Sequence, residues 1–414
     1  PLELGWTKQL LEAAGHAVLM LDGHLLGLSH ADLAAEVRAF RPDLTVVTTA
    51  PSYLFWRCAP PELRVPQELI RALESVGGRI VAVGPHGSAT PTAALTKLGV
   101  DAVVMGECEA VVARLAAGEA WDTIAGLAYR DGNGARVNGG PQAAPFVDAP
   151  PLVWPEAWIA RHDHHHHRFD APPQGPGAEV EASRGCPYRC SFCAKENFRD
   201  RYRRRPAGAV VAEIERLQEQ GVEYVYFIDE IFLPNRPLLE ALLGRGLRFG
   251  VQTRIDLWKP ELLELLGRAG CVSIEAGVES LTREGREELA KDCRLDTEEL
   301  AERLIHAKRF VPFVQANLLA MPQDDDELIE RWRTRLREAG VWANDPVPLF
   351  PYPGSPDYRR LWGLPDARAW ERAVDHYLAT FEGFSDLQDE RPLPLAALEH
   401  AAASERPSAT LERA

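Results

Sequence analysis

Cys186, Cys190 and Cys193 stand within eight positions of one another in a chain of 414 residues that holds only seven cysteines. Thiolates hold iron–sulfur clusters, and a cubane normally takes four of them. The spacing C-x3-C-x2-C offers three, which leaves one iron open to a chelating ligand from outside the protein. Structural zinc is the competing use of such thiols, but it asks for four closed ligands in paired knuckles, and the chain has no second C-x2-C. Cys271 and Cys293 lack further local partners for an auxiliary cluster and read as ordinary buried thiols. The arginines from Arg199 to Arg205 either meet an anionic substrate or partner, or form a solvated face, or pair with the acidic body of the chain.

A cluster needs a frame. The three cysteines follow the apolar segment AEVEASRG and precede a helix that begins near Ala207. Strand-like runs then recur at 224–232, 247–255, 271–280, 311–322 and 347–356, with helical patterns at 207–219, 260–269 and 296–309 between them. This alternation predicts a partial β/α barrel, whose chemistry gathers at the carboxyl ends of its strands. Asp229, Glu230, Gln252, Arg254, Glu275 and Glu279 stand at those ends, where each is an expensive group unless it has a task.

The first part of the chain alternates as well. Strand-like runs at 16–22, 44–50, 79–84 and 101–105 are separated by helical patterns at 31–40, 62–76 and 91–98. That is an α/β, doubly wound parallel sheet with helices on both faces. The chain opens at Pro1 with a helical pattern and no strand before it, so the domain is expected to lack its first strand. Ligands of such sheets bind beyond the strand exits, here TAPSYLFW, GPHGSATP and GECEA. Gly84, Pro85, His86, Gly106 and Glu107 make turns that let a ligand approach the backbone. Tyr53, Phe55 and Trp56 offer either an apolar ligand surface or packing. Between the two halves lie a hairpin, WDTIAGLAYR to ARVN, and a proline- and glycine-rich linker containing RHDHHHHRFD. His162 and His164 to His167 are either metal or substrate contacts or part of that linker.

Composition narrows the classes. The content of 46% hydrophobic residues suits two or three buried cores, and the net charge of −15 opposes general nucleic-acid binding. No apolar run approaches the roughly 20 residues of a membrane span, and no signal peptide is visible. An odd, sparse cysteine count fits a reducing compartment, the cytoplasm.

The cysteine spacing is that of the radical S-adenosylmethionine (SAM) superfamily, and the phrases RPDLTVV, VGPHGSATP, DAVVMGECEA and PYPGSPDY resemble its cobalamin-binding members. About nine tenths of the chain is covered. In HDHHHHRFD and FIDEIFLPN it is similar to an uncharacterised bacterial subfamily of B12-binding-domain radical SAM proteins. The resemblance implies a Rossmann-like cobalamin-binding domain at 1–118, a hairpin and linker at 119–178, a radical SAM partial (β/α)6 barrel at 179–360 and a helical C-terminal region at 361–414. It implies a [4Fe-4S] cluster on Cys186, Cys190 and Cys193, with SAM and cobalamin as further cofactors. Phe192 would pack near the adenine. Asp229 and Glu230 would hold the methionine amine, Arg254 its carboxylate, and Glu275, Glu279 and Ser280 the ribose, with Gln252 beside them. Tyr53, Trp56, Gly84, Pro85, His86, Gly106 and Glu107 would contact cobalamin. Asp22, His24 and Gly27 fit the D-x-H-x-x-G pattern of cobalt-ligating domains but follow the wrong strand, so they read as a polar loop. Where relatives have G-F-P-G-E-T, this chain has Asn317, Met321, Pro322 and Gln323. The implied activity is methyl transfer to an unactivated carbon through a 5′-deoxyadenosyl radical and methylcobalamin. Rivals are a cobalamin-dependent rearrangement, cyclisation or ring contraction, or a non-catalytic sensor. Expected partners are a small-molecule or carrier-bound substrate and an electron donor such as flavodoxin or ferredoxin.

Overall fold

The computed structural model describes residues 2–50, 61–132, 134–162, 176–197, 199–380 and 394–400. Its N-terminal sheet has the order β1 (Leu44–Thr48), β2 (Arg79–Val83), β3 (Ala102–Val104), β4 (Leu127–Asp131), β5 (Gly134–Asn138). The first three strands run parallel, and the predicted hairpin adds β4 and β5 antiparallel. Alternate residues serve opposite faces. Ile80 and Ala82 pack with helices His30–Phe40, Arg64–Leu73 and Pro91–Leu98, while Val81 and Val83 pack with Glu109–Ala116 and with Leu4 and Leu11 of helix Leu2–Ala13. The result is the three-layer arrangement expected from the alternation.

One expected strand is absent from this sheet. Residues 16–22, HAVLMLD, form no ladder, because β1 lies at the edge and its described pairing is with β2 alone. A strand exists only through its partner's hydrogen bonds, which periodicity cannot count. The D-x-H-x-x-G stretch is a single capped turn: Asp22 accepts from Leu25 N at 2.9 Å, and Gly27 closes it at φ 67°.

The second sheet contains six parallel strands in the order β13 (Trp342–Ala343), β12 (Phe313–Leu318), β11 (Cys271–Glu279), β10 (Arg248–Thr253), β9 (Tyr224–Phe227), β6 (Gly177–Val180). Sequential neighbours linked by helices are the partial β/α barrel of the sequence reading. Val225, Phe227, Phe249 and Val251 face the covering helices Ala207–Glu219, Arg236–Leu242 and Pro260–Arg268. Tyr224, Tyr226 and Ile228 face the other way and pack with Leu2 and Trp6 of the first helix, so that helix belongs to both cores. The expected strand at 347–356 is not one: beyond a single bridge from Val347 to Leu319 the segment is irregular. Pro346, Pro348, Pro351 and Pro353 remove the donors a ladder would use.

A short antiparallel pair, β7 (Ser183–Arg184) with β8 (Arg203–Arg204), brackets the cysteine loop. Beyond the barrel, helix Pro356–Trp362 lies on the cysteine loop, and helices Ala369–Thr380 and Leu395–His400 lie against the first domain, where Lys97 pairs with Glu371 at 2.7 Å and with Glu399 at 3.2 Å.

Candidate active site

Cys186, Cys190 and Cys193 form no disulfide and are each half-buried on the loop between β7 and β8. The loop is fixed by its own backbone and by three outside clamps. Lys195 Nζ donates to Cys186 O at 2.6 Å and to Asp200 Oδ1 at 2.8 Å. Ser191 N donates to Leu289 O at 2.9 Å. Ser191 and Asp357 bind reciprocally, hydroxyl to carboxylate at 3.0 Å and Asp357 N to Ser191 O at 2.9 Å. Asn197 Nδ2 adds a bond to Pro353 O at 2.8 Å, so the PYPGSPDY segment lies directly on the cysteine loop.

Burial raises the Cys186 and Cys190 thiols; at Cys190 the strongest opposing charge is the Lys291 ammonium. Among the described residues, no three His, Cys, Asp or Glu side chains converge as ligands of a single ion. A cubane asks for something else, thiolates spread over separate corners, and three spaced cysteines on one clamped loop match that donor set.

Polar groups gather at the strand exits beside the loop, with different roles. Asp229 turns back onto the chain, accepting from Ala182 N at 2.8 Å and from the Ser183 hydroxyl. Burial pushes its carboxyl up to about 8. Glu230 points toward the cysteine loop instead, accepting from Gly185 N at 2.6 Å and from Arg199 at 2.7 Å. Of the two carboxylates expected at the methionine amine, Glu230 is therefore the one beside the cysteines. Arg254 donates to Asp256 at 2.8 Å and to Asp292 O at 3.2 Å, and its guanidinium lies 4.1 Å from the Tyr188 ring centroid. Its Nη1 is buried without a hydrogen-bond partner among the described residues, an orphaned cationic donor that fits a ligand carboxylate.

The other expected contacts are more scattered. Phe192 is half-buried on the loop. Glu275 receives a long bond from Tyr226 Oη at 3.4 Å, and the Gln252 carbonyl accepts from Phe232 N at 2.8 Å. Ser280 is buried in a turn with Thr282 and Asp324, bonding Asp324 Oδ2 at 3.0 Å. Glu279 pairs with Lys291 at 2.5 Å.

In the first domain, His86 is fully buried with its ring 4.6 Å from that of Trp370. Pro85 and Gly87 are buried beside it, and a Cβ on Gly87 would sit 2.9 Å from Val104 O. Gly84, at φ 129°, brings the turn onto Thr49, and Gly106, at φ 83°, brings it onto Gln142. Thr49 Oγ1 is buried at the β1 exit with no partner among the described residues, as a polar ligand contact at a strand exit requires. Tyr53, Phe55, Trp56 and His164 to His167 lie outside the described residues. His162 closes a helical turn on Trp158 O at 2.9 Å.

Glu107 is taken up by the barrel: it accepts from Arg184 at 3.0 Å, from Ala144 N at 3.1 Å and from Arg203. Burial alone would raise its carboxyl, but Arg184, Arg199 and Arg203 outweigh that and hold it below the usual carboxylate value. The same arginines tie the two sheets' exits together. Arg184 also binds Glu109 at 2.5 Å and Glu181 at 2.8 Å, and Arg199 binds Glu181 at 2.8 Å, Glu230 and Glu3. Arg205 pairs with Glu213 at 2.8 Å. Arg199, Arg203 and Arg205 thus pair with the acidic body in a largely buried network, whereas Arg201 and Arg204 are exposed. Arg184, Glu181, Lys195, Asp357 and Lys291 carry no spacing signal and escaped sequence reasoning.

A model of the Radical SAM superfamily matches residues 180–334, the stretch from β6 through helix Asp326–Glu338 that holds all three cysteines. This is a radical SAM domain. Over a longer stretch, an uncharacterized methyltransferase of Pyrococcus horikoshii is 24% identical over 376 residues, covering 87% of this chain and 77% of that protein. A hopanoid C-3 methylase of Methylococcus capsulatus is 29% identical over 378 residues, covering 86% and 67%. Among solved structures, the radical SAM methyltransferase TsrM of Kitasatospora setae, with tryptophan and a SAM analogue bound, superposes with TM-score 0.68 at 20% identity, covering 87% of this chain and 73% of that one. That likeness shows that the radical SAM domain and its N-terminal partner share one fold with TsrM.

Proposed function

We propose that this radical SAM enzyme is a cobalamin-dependent methyltransferase that acts on an unactivated carbon of a small molecule. One observation carries the reading: the exits of both sheets meet, joined by Arg184 between Glu107 and Glu181, so ligands of the two domains would face one space. Methyl transfer needs both sites to face that space; a cobalamin-dependent rearrangement would use it as well, and the product separates the two. The methyl-transferring relatives favour the first.

Cys186, Cys190 and Cys193 would hold a [4Fe-4S] cluster, Glu230 and Arg254 the amine and carboxylate of SAM, and the Thr49 and Gly84 exits cobalamin. When bound, these groups supply a low-potential electron, a carbon-centred radical and a methyl carrier. The protein's share is placement. Lys195 and Asp357 hold the cysteine loop still, Glu230 is oriented by Gly185 N and Arg199, and Arg254 keeps one donor uncommitted. The buried strand exits keep bulk water from a reactive radical. An electron donor of the flavodoxin or ferredoxin class would approach the half-exposed loop. Free thiols and an oxygen-sensitive cluster suit the cytoplasm.

The test uses anaerobically reconstituted protein with reduced cobalamin and SAM labelled in its methyl group. Methyl transfer predicts labelled methyl on the recovered cobalamin together with S-adenosylhomocysteine. Unlabelled cobalamin, with 5′-deoxyadenosine as the sole SAM product, would favour rearrangement.

A further inference from the structure

His86 stands at the exit of β2, in the five-residue helix Pro85–Ala89, and protein atoms alone bury it completely. An imidazole sealed in this way holds the turn instead of touching a ligand. What covers it comes from the far end of the chain. Trp370, on helix Ala369–Thr380, lies with its ring centroid 4.6 Å from that of His86, the planes 33° apart. Trp370 Nε1 donates to Thr90 Oγ1 at 3.1 Å, and Thr90 Oγ1 donates to His86 O at 3.2 Å. One indole thus grips both the ring and, through Thr90, the backbone of the same residue. The turn is also tied to the β3 exit, where Gly106 N donates to Ser88 Oγ at 2.8 Å.

Trp370 has a second set of neighbours. With Val374 and Leu395 it forms a small apolar core against which Ala89, Phe350 and Tyr352 pack, the Tyr352 ring standing edge-on to it at 6.5 Å. Phe350 and Tyr352 begin the segment whose Pro353 carbonyl accepts from Asn197 on the cysteine loop. The turn also packs directly against Lys195–Asn197. Turn and cysteine loop are therefore joined twice, once by contact and once through Trp370 and the 350–353 segment. A single contact lets two bodies rock about it; a second route fixes their angle. Lys97 secures the helix itself, pairing at 2.7 Å with Glu371, the residue after Trp370.

We propose that Trp370 is a positioning residue: it braces the Pro85–Ala89 turn against the barrel, so that the C-terminal helix sets where a cobalamin held at that turn sits relative to the cysteine loop. The role rests on the reading of Gly84 to His86 as part of the cobalamin site. Group transfer between two bound ligands tolerates little displacement, since misplacement by about 1 Å costs on the order of a hundredfold in rate. A five-residue helix cannot hold a position that closely by itself, because short helices gain most of their stability from packing. Trp370 supplies that packing from outside the first domain.

The experiment titrates the reconstituted full chain with hydroxocobalamin, reading bound corrinoid by absorbance, and in parallel follows the rate at which a chelator strips the cluster iron. Trp370→Ala should speed iron loss and weaken cobalamin binding about tenfold, the size of one aromatic contact. Trp370→Phe, which keeps a ring on His86, should stay within about threefold of the wild type. Val112→Ala, buried in helix Glu109–Ala116 and outside the Trp370 core, controls for mere loss of stability and should stay within about twofold. Affinity in Trp370→Ala equal to that in Val112→Ala, or an equal fall in Trp370→Phe, would overturn the proposal. Should Trp370→Ala fail to fold, Thr90→Val decides, since it keeps the bulk but removes the acceptor of Trp370 Nε1: a weaker affinity supports the brace, and an unchanged one refutes it. If the wild type itself takes up no cobalamin, it is the cobalamin reading that fails, and iron loss alone decides the brace. Faster loss in Trp370→Ala than in Val112→Ala then supports it, and equal rates refute it.

Discussion

Asp229 and Glu230 are adjacent carboxylates with opposite tasks. Glu230 is anchored by Gly185 N and Arg199 and remains an acceptor beside the cluster loop, whereas Asp229 is sealed against Ala182 and Ser183. With its folded value raised by burial from 3.8 to about 8, Asp229 binds a proton more tightly in the folded chain than in the unfolded one. Its contribution is fully present below the unfolded value and is lost as pH rises through the folded one. Thermal melts from pH 6 to 9 should thus show a steeper loss of stability in the wild type than in Asp229→Asn; parallel profiles would refute the assignment. The sequence could mark both residues as costly polar groups at a strand end. It could not divide their roles, because the division depends on which neighbour each side chain meets. The three cysteines were legible outright, since their spacing is itself the chemistry. Lys291 was not, because its meaning comes from its partner Glu279 twelve positions earlier.

At the scale of elements, the cysteine loop depends on a segment more than 150 positions downstream. Gly354, at φ 93°, lies against the Asn197 side chain, and a Cβ there would collide with it. Gly354→Ala should therefore cost about 1–3 kcal/mol, read in denaturant melts, and should speed loss of the cluster to a chelator. Unchanged stability together with unchanged chelator kinetics would show that the clamp is dispensable. Strand and helix alternation was readable nearly everywhere, down to helix Ala207–Glu219 at its expected bounds. The two failures have physical causes. Residues 16–22 have the composition of a strand but no ladder, and 347–356 is apolar enough but has prolines where donors are needed.

For the whole molecule, what joins the domains is charge buried where charge is expensive. Glu3, Glu107, Glu109, Glu181 and Glu230 surround Arg184, Arg199 and Arg203, five carboxyls to three guanidinium groups. Burial raises the Glu109 carboxyl. Arg184→Met would leave Glu109 without its arginine and take one partner each from Glu107 and Glu181, and should cost about 3–5 kcal/mol, with faster proteolysis between the domains; a variant as stable as the wild type would mean that the network does not hold them. The sequence showed a run of arginines and an acidic chain, but only the fold brings Arg184 to Glu107 across 77 positions. The central claim is that three cysteines hold a cluster with one open iron. EPR of the reduced, reconstituted protein with and without SAM tests it most directly. The account predicts a cluster signal that SAM alters and that Cys190→Ala abolishes; a signal indifferent to SAM, or one that survives in Cys190→Ala, would contradict it.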